Sequence, residues 1–176
     1  MTAYRRLRLN GATYQFTLCL EEPARGLLIA EVALLRQAWA RTLAELPVRR
    51  QAVVVLPDRL HAIWTEPEDA ALFPERWRRI KARFSRAVSG DFAPRDSLRR
   101  KRERGIWQRR YWEHCLRDAA ALDRALEDCR RAPVLAGLVT RPEDWPYGSF
   151  AAPRGRMGNI AHPTEPASCP APCTSA

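Results

Sequence analysis

The chain has 176 residues, 46% of them hydrophobic, enough for one domain with a real core. Its 30 Lys and Arg against 20 Asp and Glu leave a net charge of +10 and a pI near 10.2, which points to a polyanionic partner, nucleic acid ahead of a membrane surface. No apolar run approaches the ~20 residues of a bilayer span, and no apolar stretch follows Tyr4-Arg5-Arg6-Leu7-Arg8 as in a signal peptide, so the cytoplasm is the expected compartment.

Most of the positive charge is arginine, whose planar fork suits phosphates and base edges. Of five cysteines, Cys19, Cys115 and Cys129 lie inside periodic segments and read as buried thiols. Cys169 and Cys173, with His162, have the donor types of a zinc site, but no further ligand joins them.

Residues 13–19 alternate and carry β-formers, which predicts a first strand. Ile29 to Leu46 follows as a helix whose stripe is Val32, Leu35, Trp39, Leu43 and Leu46, ended by Pro47. Residues 52–65 then read as two strands around a Pro57-Asp58 turn. In the second of them Arg59, His61 and Ile63 share a face. His61 is there either a metal ligand or acid/base group, or a histidine hydrogen-bonded at the edge of the core.

After an acidic loop at 66–73, Pro74 opens a helix to about Val88 that stops at Gly90. Its apolar stripe is Trp77, Ile80, Phe84 and Val88; a second stripe is Arg76, Arg79, Arg83 and Arg86, with Arg78 and Lys81 beside it. Six like charges on one helix repel unless something neutralises them, so this stripe is expected to contact an anion. Residues 91–103 read as an irregular, mobile connection. From Arg95 to Arg110 eight basic residues face two acidic ones, and Gly105-Ile106-Trp107 inserts an aromatic into that run, a pattern suited to a nucleic-acid path.

Residues 106–115 read as a strand, with Trp107, Arg109, Tyr111 and Glu113 on one face and Gln108, Arg110, Trp112 and His114 on the other. Such a strand would carry His114 or Glu113 toward the surface of His61. Asp118 is the expected N-cap of a helix over 119–131 that buries Leu122, Leu126 and Cys129, with Asp128 at the border of that stripe and Pro133 ending it. Trp145, Tyr147 and Phe150 pin a closing segment onto the domain. Beyond residue 150, Pro, Gly, Ala and Ser dominate, and a disordered tail over 151–176 is expected. The element order suits an α+β fold: one antiparallel sheet with helices against one face.

Four stretches in order carry a resemblance: Val-Val-Leu-Pro-Asp-Arg-Leu-His-Ala-Ile-Trp (54–64), Arg-Trp-Arg-Arg-Ile-Lys-Ala-Arg-Phe-Ser-Arg (76–86), Arg-Gly-Ile-Trp-Gln-Arg-Arg-Tyr-Trp-Glu-His (104–114), and Pro-Val-Leu-Ala-Gly-Leu-Val through Asp-Trp-Pro-Tyr-Gly-Ser-Phe (133–150). The chain resembles the tyrosine transposases associated with repetitive extragenic palindromes. The resemblance implies a single ferredoxin-like domain over 1–150 that cuts and rejoins single-stranded DNA near hairpins. It also implies a His-hydrophobic-His pair holding a divalent metal, a nucleophilic tyrosine on the last helix, and a polar metal ligand four positions later.

Carried onto this chain, the first metal histidine falls on Arg59 and the second on the retained His61. The tyrosine falls on Asp128 and the polar ligand on Ala132. Arginine cannot ligate a metal, and the ester a carboxylate would form with phosphate is a mixed anhydride that hydrolyses readily. The expectation is therefore a protein that grips single-stranded or hairpin DNA, as monomer or homodimer, with cleavage lost. The expected contacts are Arg59, Arg76, Arg79, Arg83, Arg86, Arg99, Arg100, Lys101, Arg102, Trp107, Arg109, Arg110 and Tyr111. The alternative is an active, divergent transposase in which His61, with Asp58 or Glu113, holds Mg²⁺ or Mn²⁺ and Asp128 attacks.

Overall fold

A computed structural model describes residues 8–22, 26–90 and 104–152. The strands β1 (Thr13–Cys19), β2 (Arg49–Val55), β3 (Arg59–Thr65) and β4 (Trp112–Leu116) form one antiparallel sheet in the order β2-β3-β1-β4. With α1 (Leu27–Ala30) and α2 (Val32–Glu45) after β1, and α3 (Phe73–Ala87) after β3, this is the ferredoxin-like topology. The last helix, α4 (Ala119–Leu135), follows β4, and a 3₁₀ turn at Pro142–Asp144 opens the closing segment. Among the described residues no helix is long and apolar enough to cross a membrane.

Alternation along the strands sorts side chains onto two faces. Tyr14, Phe16 and Leu18 of β1 stand beside Trp64, Ala62 and Leu60 of β3 on the first face. There α2 brings Leu35, Ala38 and Trp39, and α3 brings Phe73, Trp77, Ile80 and Phe84. The centre is aromatic: Trp64 and Trp77 stack with ring centroids 4.6 Å apart, and Trp39 meets Trp77 edge-on at 5.4 Å. The second face is not bare. Ala52, Val54, Ile63 and Leu116 pack against Ala125 and Cys129 of α4 and against Trp145. Helices thus cover both faces of the sheet rather than one, because α4 also has an apolar stripe to bury.

Several local readings hold. Asp118 caps α4, its carboxylate accepting the Ala121 N–H at 2.7 Å. Pro74 lies in the first turn of α3, where a missing N–H costs nothing. The helix expected over 29–46 is broken at Glu31 into α1 and α2. Pro133 does not end α4: it is buried inside the helix, which runs on to Leu135. The stop is Gly137, whose φ of 69° lets its N–H reach the Val134 carbonyl while the Leu138 N–H reaches that of Pro133.

The strand expected over 106–115 shrinks to β4. Ile106 and Trp107 are consecutive yet both buried, which alternation forbids. Only an isolated bridge joins Trp107 to Leu20.

The closing segment docks on the outer edge of β2. Val55 N–H donates to the Tyr147 carbonyl and Ser149 N–H to that of Val53, each at 2.8 Å. The Trp145 indole donates to the Val55 carbonyl at 2.9 Å. Gly148 lies so close that an added Cβ would stand 3.2 Å from the Val54 side chain. The tail beyond residue 152 lies outside the described residues.

Candidate nucleic-acid interface

His61 sits mid-strand on the second face, in a row that runs Val54, His61, Thr17, Trp112 across all four strands. It is half-buried, and its Nδ1 lies 2.9 Å from the Thr17 hydroxyl. Burial chiefly, and the Arg59 charge next, push its pKa below the ordinary 6.5, so the ring is neutral at pH 7.

The sign of the resulting pH dependence follows from linkage. The unfolded chain takes up a proton below 6.5 that the folded ring resists. The stability that neutral His61 contributes is full above 6.5 and is lost as pH falls toward the depressed folded value. Urea midpoints measured from about pH 8 to about pH 5 are expected to fall less in His61→Gln than in the parent. Equal slopes would remove His61 from the titration.

Where the resemblance puts the first metal histidine, Arg59 is locked to its neighbour. Its Nε lies 3.1 and 3.2 Å from the two Asp58 oxygens, and a terminal nitrogen lies 2.7 Å from one of them. This fork holds the Asp58 carboxyl below its ordinary range. Glu113 pairs with Phe16 and so projects on the opposite face from His61; the idea that it joins His61 fails on register. His114 is on the His61 face.

Asp128 is exposed on α4. The residue beside it, Cys129, is buried, and burial with the Asp128 charge pushes its thiol up to about 12, so it is protonated and inert at neutral pH. Among the described residues no group of three His, Cys, Asp or Glu side chains could hold a metal ion. With a guanidinium at one ligand position and the methyl of Ala132 at another, the donor set does not fit the divalent metal that the resemblance implies.

The three described tyrosines are each engaged in packing. Tyr14 is buried and pushed up to about 12 by that burial. Tyr111 packs its ring against Phe16 and Trp77 in the core. Tyr147 belongs to the closing segment, edge-on to Trp145. Tyr4 lies outside the described residues.

The arginine stripe on α3 is largely consumed inside the molecule. Arg76 is a core residue, 1% exposed. One terminal nitrogen lies 2.7 Å from both oxygens of the equally buried Glu66, and its other nitrogens donate to the Leu46 and Pro47 carbonyls. Glu66 in turn accepts the Trp64 indole and the Leu72 N–H, each at 2.7 Å. Arg76 therefore staples the end of α2 to the start of α3 and does not reach solvent.

Arg79 and Arg83 both pair with Glu45 of α2, and Arg78 and Arg79 with Glu75. The anion expected opposite this stripe is thus supplied in large part by the chain's own carboxylates. Lys81 donates to the Gln108 carbonyl, and Arg104 satisfies the Ser85, Val88 and Gly90 carbonyls at the end of α3. Trp107, one of the expected DNA contacts, is 7% exposed and packs edge-on against Phe84. Arg99, Arg100, Lys101 and Arg102 lie outside the described residues.

The charge that remains on the surface is spread over several elements: Arg8, Arg36 of α2, and Arg124 and Arg131 of α4 are exposed without an ion pair to another described residue, as are the arginines around β4. Arg109 and Arg110 before it and Arg117 after it are exposed and make no ion pair with another described residue, and Arg86 is exposed at the end of α3. Trp112, absent from the expected contacts, is 53% exposed. Its signal was present in the sequence: it alternates with Tyr111 and Glu113 and falls on the His61 side.

No protein-family model matches the chain. A REP-associated tyrosine transposase of Escherichia coli K12 is 33% identical over 150 residues, covering 85% of this chain and 83% of the relative. A Haemophilus influenzae protein, also described as a REP-associated tyrosine transposase, is 34% identical over 151 residues, covering 85% of this chain and 86% of its own. Among solved structures, a REP-associated tyrosine transposase bound to a REP hairpin matches with a TM-score of 0.72 at 30% identity, over 92% of this chain and 94% of that one.

Proposed function

This chain belongs to the family of REP-associated tyrosine transposases, and on that premise we propose that it grips single-stranded or hairpin DNA in the cytoplasm without cutting it. Three observations support DNA as the partner: the net charge of +10, the exposed arginines around β4, and the hairpin held by the solved relative.

The observation that carries the loss of cleavage is the Asp58–Arg59 fork beside His61. Cleavage of the family's kind needs a metal that neutralises and orients the phosphate, and a nucleophile in line. A guanidinium already bound to a carboxylate supplies neither. Outside that fork Arg59 keeps one terminal nitrogen, a charged donor for a phosphate oxygen and not a group that breaks a bond. Asp128 adds a carboxylate where the family has a phenol, and an acyl phosphate would be a poor store for rejoining strands.

The test is incubation with a labelled hairpin carrying unpaired flanks, with Mg²⁺ or Mn²⁺, resolved on native and denaturing gels. A shifted complex with intact DNA and no protein–DNA adduct is expected. Cleavage would overturn the proposal, and the adduct's position would identify the attacking residue as Asp128, Tyr147 or another.

A further inference from the structure

Of the arginine stripe on α3, all but Arg86 is tied up by the chain's own groups, and Trp107 and Tyr111 are packed inward, so the groups that meet unpaired bases must lie elsewhere. We infer that Trp112, backed by His114, is a stacking platform for an unpaired nucleotide next to the hairpin. This rests on the hairpin-binding reading above and names the residues by which single-stranded flanks are held.

Four observations carry it. First, the Trp112 and His114 rings lie parallel, with centroids 5.6 Å apart and planes 15° from one another. The indole is therefore held in one orientation before a base arrives, which lowers the ordering cost of binding. Second, among the described residues Trp112 is the one aromatic in the exposed class of large hydrophobic side chains, at 53%, on a sheet whose other aromatics are nearly all inside. An exposed indole on an edge strand presents a π-face that a base can reach.

Third, α4 covers the second face over Ala52, Val54, Ile63 and Leu116. In the row of Trp112, the half-buried Thr17 and His61 follow, and the half-buried Gln15 adjoins the exposed His114 in the next row. These side chains offer donors and acceptors to the edge of a base lying on the indole. Fourth, the exposed Arg109, Arg110 and Arg117 flank β4, so the phosphates on either side of such a nucleotide would meet positive charge. An aromatic face bordered by arginines is the arrangement that holds single strands.

The test is fluorescence anisotropy of the full chain with two labelled DNA hairpins, one blunt and one with unpaired flanking nucleotides. Trp112→Ala is expected to weaken the flanked hairpin about tenfold or more and the blunt one less than about twofold. Trp112→Phe, which keeps a π-face, is expected to recover most of the loss. An abasic site placed along the flank should, at one position, cost as much as Trp112→Ala, and the two losses should not add. Because the ring is exposed, an unchanged circular dichroism spectrum and urea midpoint confirm that the alanine variant folds.

If Trp112→Ala weakens both hairpins equally, or neither, the platform is refuted while hairpin binding stands. If the parent chain binds neither DNA, the hairpin-binding reading fails and the platform with it.

Discussion

Arg76→Met is expected to destabilise the fold by about 3–5 kcal/mol, the cost of leaving a buried carboxylate without its counter-charge. Glu66 would keep its bonds from the Trp64 indole and the Leu72 N–H but would lose both contacts to Arg76. For a domain of this size the midpoint of thermal unfolding should drop by roughly 10 °C or more. Adding Glu66→Gln should recover part of the loss, since the amide oxygen still accepts a hydrogen bond and the stranded charge is gone. Calorimetry of the two single variants and the double settles this. A double variant no better than Arg76→Met would mean that the carbonyls of Leu46 and Pro47, not Glu66, are what Arg76 serves. DNA affinity per folded molecule should stay unchanged, because Arg76 never meets solvent.

The second large effect is on the salt dependence of DNA binding. Each phosphate neutralised contributes about −0.7 to −0.9 to the slope of log affinity against log salt. Replacing Arg109, Arg110 and Arg117 together with alanine should flatten that slope by about 2 to 2.7 units. Between about 50 and 200 mM salt this amounts to a change of roughly 20- to 40-fold. Arg79→Ala with Arg83→Ala should barely move the slope, because both guanidinium groups are already answered by Glu45, and Arg79 by Glu75 as well. Their loss should appear as lower stability. Anisotropy titrations at four salt concentrations discriminate the two sets; a reversed order would return the DNA surface to α3.

That reversal of roles shows where the sequence was legible. Strand β1, the 52–65 hairpin, the start of α3 and the Asp118 cap are written in local pattern: alternation, a proline turn, a proline at a helix start, an Asx cap. The four-strand ferredoxin-like sheet followed from their order and from the family resemblance. What the arginines of α3 do was not local. Arg83 is answered by a glutamate 38 residues earlier and Arg76 by one 10 residues earlier, and a helix wheel shows neither. A like-charged stripe looks the same whether its counter-ions come from DNA or from the neighbouring helix.

The 106–115 segment misled for another reason. Its alternation fits a strand, but Ile106 and Trp107 both turn into the core, and only from Trp112 does the chain join the sheet. Pro133 misled because a proline's lost hydrogen bond argues for a helix end, yet here the proline is buried inside α4, which runs two residues beyond it. The replacements at Arg59 and Asp128 were visible from the resemblance alone. That Arg59 is tied to Asp58 is a matter of side-chain geometry that no spacing encodes.

The docking of the closing segment also bears on how the chain is made. Trp145 and Ser149 reach β2 partners 90 and 96 positions earlier in the chain. During synthesis from the N-terminus, β2 can pair with β3 as soon as the hairpin ending at Thr65 leaves the ribosome, but its other edge stays open until roughly eighty further residues, up to Trp145 and Ser149, have been added. An open β-edge is a template for pairing with a stranger. The nascent protein therefore passes through a long interval in which its sheet can recruit another chain, and Trp145 with the segment around it acts as a seal that ends it.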